Sequence, residues 1–200
     1  MQLAGRSIYI NLERRKDRRA EFEAECIKMD LSGVERFPAI QRHPGIIGCG
    51  LSHLAALRLA QERQWPYVCI FEDDFEFLVS RVDLDAQLNR LFQSGQPWDV
   101  VMLGYHINAS RPHSDHLVKV LDAQTASGYL VHQSYYATLI DLYEKAMPLL
   151  ETTGRHWEYA NDQVWKQLQS NANWFAFHPR IGRQRASFSD TAEQFMDYGI

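Results

Sequence analysis

The sequence predicts an α/β fold: a mostly parallel, Rossmann-like central sheet flanked by helices. Three observations carry this. Apolar runs of strand length recur, among them "YVCIF" at 67–71, "WDVVMLG" at 98–104 and "ASGYLVH" at 126–132. Between them lie stretches whose apolar residues repeat at helical spacing. The two kinds alternate along the chain, the pattern of strands joined by crossover helices.

In chain order, "SIYINL" (7–12) is the first strand. A helix follows over 16–29, with Phe22, Cys26 and Met29 at i, i+4 and i+7 and Asp17 in its first turn. "GVERFPAI" (33–40) is a short strand broken by Pro38. "QRHPGIIGCG" reads as a loop, its glycines at 45, 48 and 50 permitting unusual backbone angles. Ser52 is the expected N-cap of a helix over 53–64, which Pro66 ends before strand 67–71. The next helix spans 83–93, with Leu84, Leu88, Leu91 and Phe92 on one side and Gly95 as its stop. Strand 98–104 is followed by the polar segment 105–117, read as a loop holding His106, His113 and His116. After strand 126–132, Ser134 caps a helix over 135–150, and another helix starts near Asn161. "NWFAFHP" is the last strand, and 180–200 is a polar, irregular tail.

Composition narrows the function classes. The 200 residues are 46% hydrophobic and 23% charged, an ordinary globular balance that favours one domain over 1–200. A formal net charge of -4 gives no global reason to bind nucleic acid. The basic run "ERRKDRRAE" is punctuated by acids and reads mostly as a solvated helix face. Cys26, Cys49 and Cys69 form no C-x-x-C pair, so a disulfide framework or structural zinc site is not expected and a reduced, cytoplasmic setting is. "MQLAGRSIYINL" is too short and polar for a signal peptide, and the apolar runs fall far below the roughly 18 residues that span a membrane. Any membrane contact is therefore expected to be peripheral.

The chemistry concentrates in "FEDDFEF" (71–77), where Glu72, Asp73 and Asp74 follow five buried strand residues. Adjacent like charges about 4 Å apart repel by roughly 4 kcal/mol at an effective dielectric near 20. A solvated turn would tolerate this, and so would a nucleophilic aspartate of a phosphohydrolase. The latter wants Asp directly after the strand and a second Asp two residues on, followed by Thr or Val. Here Glu72 comes first and Phe75 follows Asp74. A third reading is a divalent cation, Mn²⁺ or Mg²⁺, held by one or two carboxylates and completed by substrate phosphates. Glu72-x-Asp74 has the spacing of the D-x-D motif of nucleotide-sugar transferases.

Further blocks occur in a fixed order: "INLERRKDR" (10–18), "GIIGCGLSH" (45–53), "IFEDD" (70–74), "DVVMLG" (99–104), "SGYLV" (127–131), "NDQVW" (161–165) and "SFSDT" (187–191). Together they resemble glycosyltransferase family 25, the lipopolysaccharide-type and collagen-type galactosyltransferases. The resemblance runs from Ile8 to about Thr191 and is densest in G-x-x-G-C-x-x-S-H followed by E-D-D. It implies a GT-A-like domain with a nucleotide-sugar half over about 1–104 and an acceptor-side half with the tail over about 105–200. It implies a metal-assisted, inverting transfer of a hexose, galactose first and glucose next, from a UDP-sugar to a glycan or lipid-linked saccharide. A member that kept the fold and lost turnover is the competing reading.

Carried over residue by residue, the resemblance makes Asp74 the direct metal ligand, with Glu72 beside it and Asp73 on the donor. Asn11 lies at the end of the first strand, near the nucleotide. Arg15 or Arg18 pairs with a phosphate, or both are surface ion-pair partners. Gly48, Ser52 and His53 belong to the glycine-rich block that would offer amides to the donor, although His53 equally suits a packed, hydrogen-bonded role. Cys49 reads as a small buried residue. His178 is a third metal ligand or a structural histidine. Gln184, Ser187 and Asp190 shape the donor pocket from the tail. Asp162 is the general base or simply an acid favoured at a helix start, and Trp157 and Tyr159 stack on a sugar or pack in the core.

Overall fold

In a computed structural model that describes residues 3–189 and 194–197, six strands form the central sheet. They are β1 (Ser7–Asn11), β2 (Val34–Pro38), β3 (Tyr67–Glu72), β5 (Val100–Pro112), β6 (Leu117–His132) and β7 (Trp174–Phe177). The order is β2-β1-β3-β6-β5-β7. β1 pairs parallel with β2 and β3, and β5 pairs parallel with β7. Only β6 runs against the rest, antiparallel to β3, β5 and β7. The mostly parallel α/β sheet expected from the sequence is therefore present, with one reversed strand at its middle.

Alternation along the strands builds two cores. Ile8 and Ile10 of β1 and Val68 and Ile70 of β3 point to one face. There they meet Leu54 and Leu57 of α2 (Gly45–Glu62) and Leu139, Tyr143 and Met147 of α4 (Tyr136–Thr153). The intervening Tyr9, Cys69 and Phe71 point the other way. They meet Phe22 of α1 (Lys16–Lys28) and Leu84, Leu88 and Leu91 of α3 (Arg81–Gln93). The period of two in the strands thus matches a helix layer on each side, and each fully buried large aliphatic or aromatic side chain contributes about 1.5–3 kcal/mol.

Several boundaries differ from the sequence reading, each for a physical reason. The glycine-rich block is not a loop: α2 begins at Gly45, and Pro44 precedes its first turn. Gly45, Gly48 and Gly50 all have ordinary negative φ. Space is tight at two of these positions. A Cβ on Gly48 would stand 2.3 Å from the Ile40 carbonyl oxygen, and one on Gly50 2.3 Å from Met147 Sδ. Ser52 is consequently not a cap. It is buried about two turns into the helix, donating from Oγ to the Gly48 carbonyl (2.6 Å) and accepting from the Ile40 amide (2.8 Å).

The expected loop 105–117 is mostly strand. β5 and β6 continue past the first core as an antiparallel hairpin: the outer half of β5 is mostly exposed, while its β6 partner keeps Leu117, Val120 and Ala123 buried. The helix expected from Asn161 is broken into two single turns, α6 (Asn161–Val164) and α7 (Lys166–Gln169), and a further turn, α5 (His156–Tyr159), stands in the expected loop before it. The helix expected from 135 starts at Tyr136 and ends at Gly154, whose φ of 68° makes the left-handed cap. The tail carries short strands rather than irregular chain. β8 (Gly182–Gln184) pairs with β4 (Phe75–Phe77), and β9 (Ser187–Ser189) pairs with β10 (Gln194–Met196).

Candidate active site

The acids of FEDDFEF sit where β3 ends, between that strand and β4. Glu72 is the last residue of β3, and Asp73 and Asp74 form the turn. Beside them ends the parallel neighbour β1, with Ile10 in register with Glu72. Ligands of open α/β sheets sit at such carboxyl ends. A cavity of about 350 Å³ opens there, walled by the start of α2, the turn of acids, residues 124–126 of β6 and the first residues of α6.

The three carboxylates do not converge on one point. Asp73, 6% exposed, accepts from Asn11 Nδ2 (2.6 Å) and from Arg18 Nη1 (2.9 Å). Asp74, 3% exposed, forms an ion pair through Oδ2 with Arg18 Nη2 (3.0 Å) and accepts on the same oxygen from Gln184 Nε2 (3.0 Å). Its other oxygen, Oδ1, is buried and has no hydrogen-bond partner. Glu72 turns toward α2, where His53 Nε2 (3.1 Å) and the Cys49 thiol (3.5 Å) meet its Oε1.

Arg18 corrects both sequence readings. It is neither free to take a phosphate nor on the surface. It is buried as the shared counter-ion of Asp73 and Asp74, and it also donates to Ser187 Oγ (2.6 Å) and the Phe188 carbonyl (3.1 Å). A buried arginine between two acids offsets a repulsion that would otherwise open the turn.

The electrostatics follow from burial. Desolvation pushes Asp74 up to about 7, helped by the Glu72 charge and opposed by Arg18. Burial likewise raises Asp73 above the ordinary carboxylate range against the pull of Arg18. Burial also acts upward on Glu72, but the hydrogen bond and charge of His53 outweigh it and leave that carboxyl below its usual value. The Cys49 thiol is raised well above normal by burial and by the Glu72 charge.

Asp162 lines the same cavity from α6. Its Oδ2 accepts from the Thr125 amide (3.0 Å), and burial is the main reason that its pKa is raised. Thr125 has φ 79°, an uncommon angle for a β-branched residue. It sits where the β5–β6 register shifts between Gly104 and His106, so a bulge aims its amide at Asp162.

Of the residues singled out in the sequence, Arg18, Gly48, Ser52, His53, Glu72, Asp73, Asp74, Gln184 and Asp162 line this cavity. Asn11 and Ser187 stand just behind it, bonded to Asp73 and Arg18. Arg15 is held by Asp17 and reaches the Phe188 carbonyl (3.2 Å). His178 is not brought to the site. It is exposed beyond β7, and its amide bonds the His116 carbonyl (2.9 Å). Asp190 lies outside the described residues. Trp157 is 65% exposed rather than packed in the core.

Several lining residues escaped the sequence reading. Asn161 is 2% exposed, and its Nδ2 is buried without a partner. Gln124 and Thr125 come from the bulge, and Arg14, Arg42 and His43 bring basic side chains to the rim. Only Asn161 and Arg14 fall within a recognised block, "NDQVW" and "INLERRKDR".

The chain is similar over 94% of its length to a glycosyltransferase involved in the glycosylation of the major capsid of PBCV-1. That structure is 8% identical, is covered over 95% of its own length and superposes with a TM-score of 0.57. The fold is thus shared with a glycosyltransferase of GT-A type. A197 from STIV matches at 13% identity and a TM-score of 0.48, over 86% of this chain and 81% of its own. GlyE, a glycosyltransferase of Streptococcus pneumoniae TIGR4, matches at 9% identity and 0.48, over 88% of this chain and 45% of its own. No protein-family model and no curated protein matches the sequence. No described helix is long and apolar enough to cross a membrane.

Proposed function

We propose that the protein is a metal-assisted glycosyltransferase that moves a hexose, galactose before glucose, from a UDP-sugar to a hydroxyl of a glycan or lipid-linked saccharide. The observation that carries this reading is the unpartnered, buried Oδ1 of Asp74 in a cavity at the carboxyl end of β3. A desolvated carboxylate oxygen with no donor suits an oxygen-seeking cation. The GT-A type of fold agrees with it.

Asp74, with Glu72 beside it, would hold Mn²⁺ or Mg²⁺. When bound, such an ion offsets charge on the departing diphosphate. The chain's own groups do the rest. Arg18 keeps Asp73 and Asp74 together without entering the chemistry, and Asn11 fixes Asp73 from behind. Arg14 and Arg42 at the rim supply positive charge toward a diphosphate. Gly48 and Ser52 shape the wall by letting segment 40–42 pass close to α2.

Asp162 takes the proton of the acceptor hydroxyl as that oxygen attacks the anomeric carbon. It stands on α6, on a different element of the cavity wall from the turn that carries Asp74, and the Thr125 amide on Oδ2 fixes its orientation. Its raised pKa makes it a better base than an ordinary aspartate while it stays ionised above that value.

Incubation with UDP-galactose or UDP-glucose and Mn²⁺ tests this. Slow release of UDP, abolished by chelator and by Asp74→Asn, is the expected outcome. UDP binding without release identifies a fold that kept its ligand and lost turnover. Release of inorganic phosphate, or UDP affinity unchanged by chelator, overturns the reading.

A further inference from the structure

The cavity holds a second set of donor atoms of different chemistry. Cys49 and His53 are four residues apart on α2, so they share one helix face. That face meets the end of β3 at Glu72. The Cys49 sulfur lies 3.5 Å from Glu72 Oε1, and His53 Nε2 lies 3.1 Å from the same oxygen. One sulfur, one imidazole nitrogen and one carboxylate oxygen thus fall within 4.8 Å of one another, and all three residues line the cavity.

Zinc binds thiolate at about 2.3 Å and imidazole or carboxylate at about 2.0–2.2 Å, in tetrahedral array. Ligand atoms around such an ion are roughly 3.3–3.7 Å apart, close to the two spacings to Glu72 Oε1, and the sulfur and the imidazole nitrogen lie within 4.8 Å of each other. The Tyr129 hydroxyl stands 2.8 Å from His53 Nδ1. With the proton on Nδ1 donated to that oxygen, the Nε2 lone pair is left for an ion, which is how outer partners orient metal-bound histidines.

We propose that Cys49, His53 and Glu72 form a site for a thiophilic divalent cation of the zinc class, with its fourth position open to the cavity. Sulfur and nitrogen select this ion over Mg²⁺ or Mn²⁺, which prefer all-oxygen sets. Binding converts the Cys49 thiol to thiolate and releases one proton to the buffer. Glu72 is common to this site and to the oxygen site proposed around Asp74. Zinc therefore inhibits Mn²⁺-dependent transfer, a consequence that rests on the proposed function, whereas the site itself does not.

The full chain titrated with Co²⁺, a spectroscopic stand-in for zinc, tests the site. A thiolate-to-cobalt charge-transfer band is expected, bleached by added Zn²⁺. It persists when Cys26→Ser and Cys69→Ala are combined and disappears in Cys49→Ser. Zinc affinity falls at least about tenfold in Cys49→Ser, and about tenfold in Tyr129→Phe with the band retained. Asp74→Asn keeps the band even where it removes Mn²⁺-dependent UDP binding, so the two readings fail separately. Absence of the band in a folded wild-type sample, or its survival in both Cys49→Ser and Cys49→Ala, overturns the site.

Discussion

At the residue scale, the acidic turn shows what a single buried arginine does. Three adjacent acids look like one cation site in the sequence, yet each has its own partner set: Asn11 with Arg18, Arg18 with Gln184, and His53 with Cys49. Which acid keeps a free oxygen is decided by side chains 19 to 110 positions away, so the block "IFEDD" marks the place and not the division of labour. Asp162 was legible for a similar reason: it lies in a short block that the fold brings into the cavity. Thr125 was not, because a bulge in β6 leaves no local pattern, and Asn161 was passed over although it stands in the same block, because the burial of its amide has no sequence signal. Asp162→Asn keeps size and the acceptor oxygen for the Thr125 amide while removing the base. It is expected to bind UDP-sugar nearly as the wild type does in Mn²⁺ and to transfer at least about a hundredfold more slowly, a barrier change of about 3 kcal/mol. Donor affinity and transfer rate measured on one preparation check this. Near wild-type turnover assigns the base elsewhere.

At the element scale, α2 departs most from the reading of its sequence. Three glycines in six residues each cost a helix about 1 kcal/mol relative to alanine, and propensity alone predicts a loop. Packing overrides propensity here, because segment 40–42 crosses α2 so closely that Gly48 has no room for a Cβ. The hairpin of β5 and β6 was missed for the opposite reason. The outer half of β5 is mostly exposed, so it lacks the apolar alternation by which strands are recognised. The two tight glycines of α2 then separate by what a methyl would strike. At Gly48 it meets the Ile40 carbonyl at 2.3 Å and the Arg42 amide nitrogen at 3.0 Å, both backbone. At Gly50 it meets the Met147 thioether, the far end of a flexible side chain. Overpacking against fixed atoms costs about 1–3 kcal/mol, whereas either alanine returns about 1 kcal/mol of helix propensity. Gly48→Ala is expected to lower the melting temperature by several degrees and Gly50→Ala to leave it within about 3 °C of wild type. Thermal melts of the two variants side by side decide it, and the reverse order refutes the packing account.

At the scale of the whole molecule, the fold concentrates its unfavourable charge at one end of the sheet. Strands β1 and β3 run parallel, so their carboxyl ends coincide, and that end carries Asp73 and Asp74, with Asp162 lining the same cavity. Burial raises all three above their ordinary values. A carboxyl that binds its proton more tightly when folded makes the native state take up protons relative to the unfolded chain, so stability falls as pH rises through that window. For Asp74 the window runs from the ordinary aspartate value of 3.8 to about 7. Glu72 has the opposite sign, but its lowered value confines its effect to more acid solution. Without added cation, the protein is therefore expected to melt at a higher temperature at pH 5.5 than at pH 8. Within the window a single group changes stability by up to about 1.4 kcal/mol per pH unit. Asp74→Asn cannot ionise, so it should melt higher than wild type at pH 8 and show a shallower slope. Manganese reverses the trend in the wild type, because it competes with the proton for Asp74 and binds more tightly as pH rises toward 7. At a hundred times its dissociation constant it restores about 2.7 kcal/mol at pH 8 and little at pH 5.5. Melting curves at the two pH values, with and without Mn²⁺, in wild type and Asp74→Asn, resolve the argument. A wild-type slope that the asparagine leaves unchanged removes Asp74 as its source. A manganese effect of equal size at both pH values places the ion on other ligands.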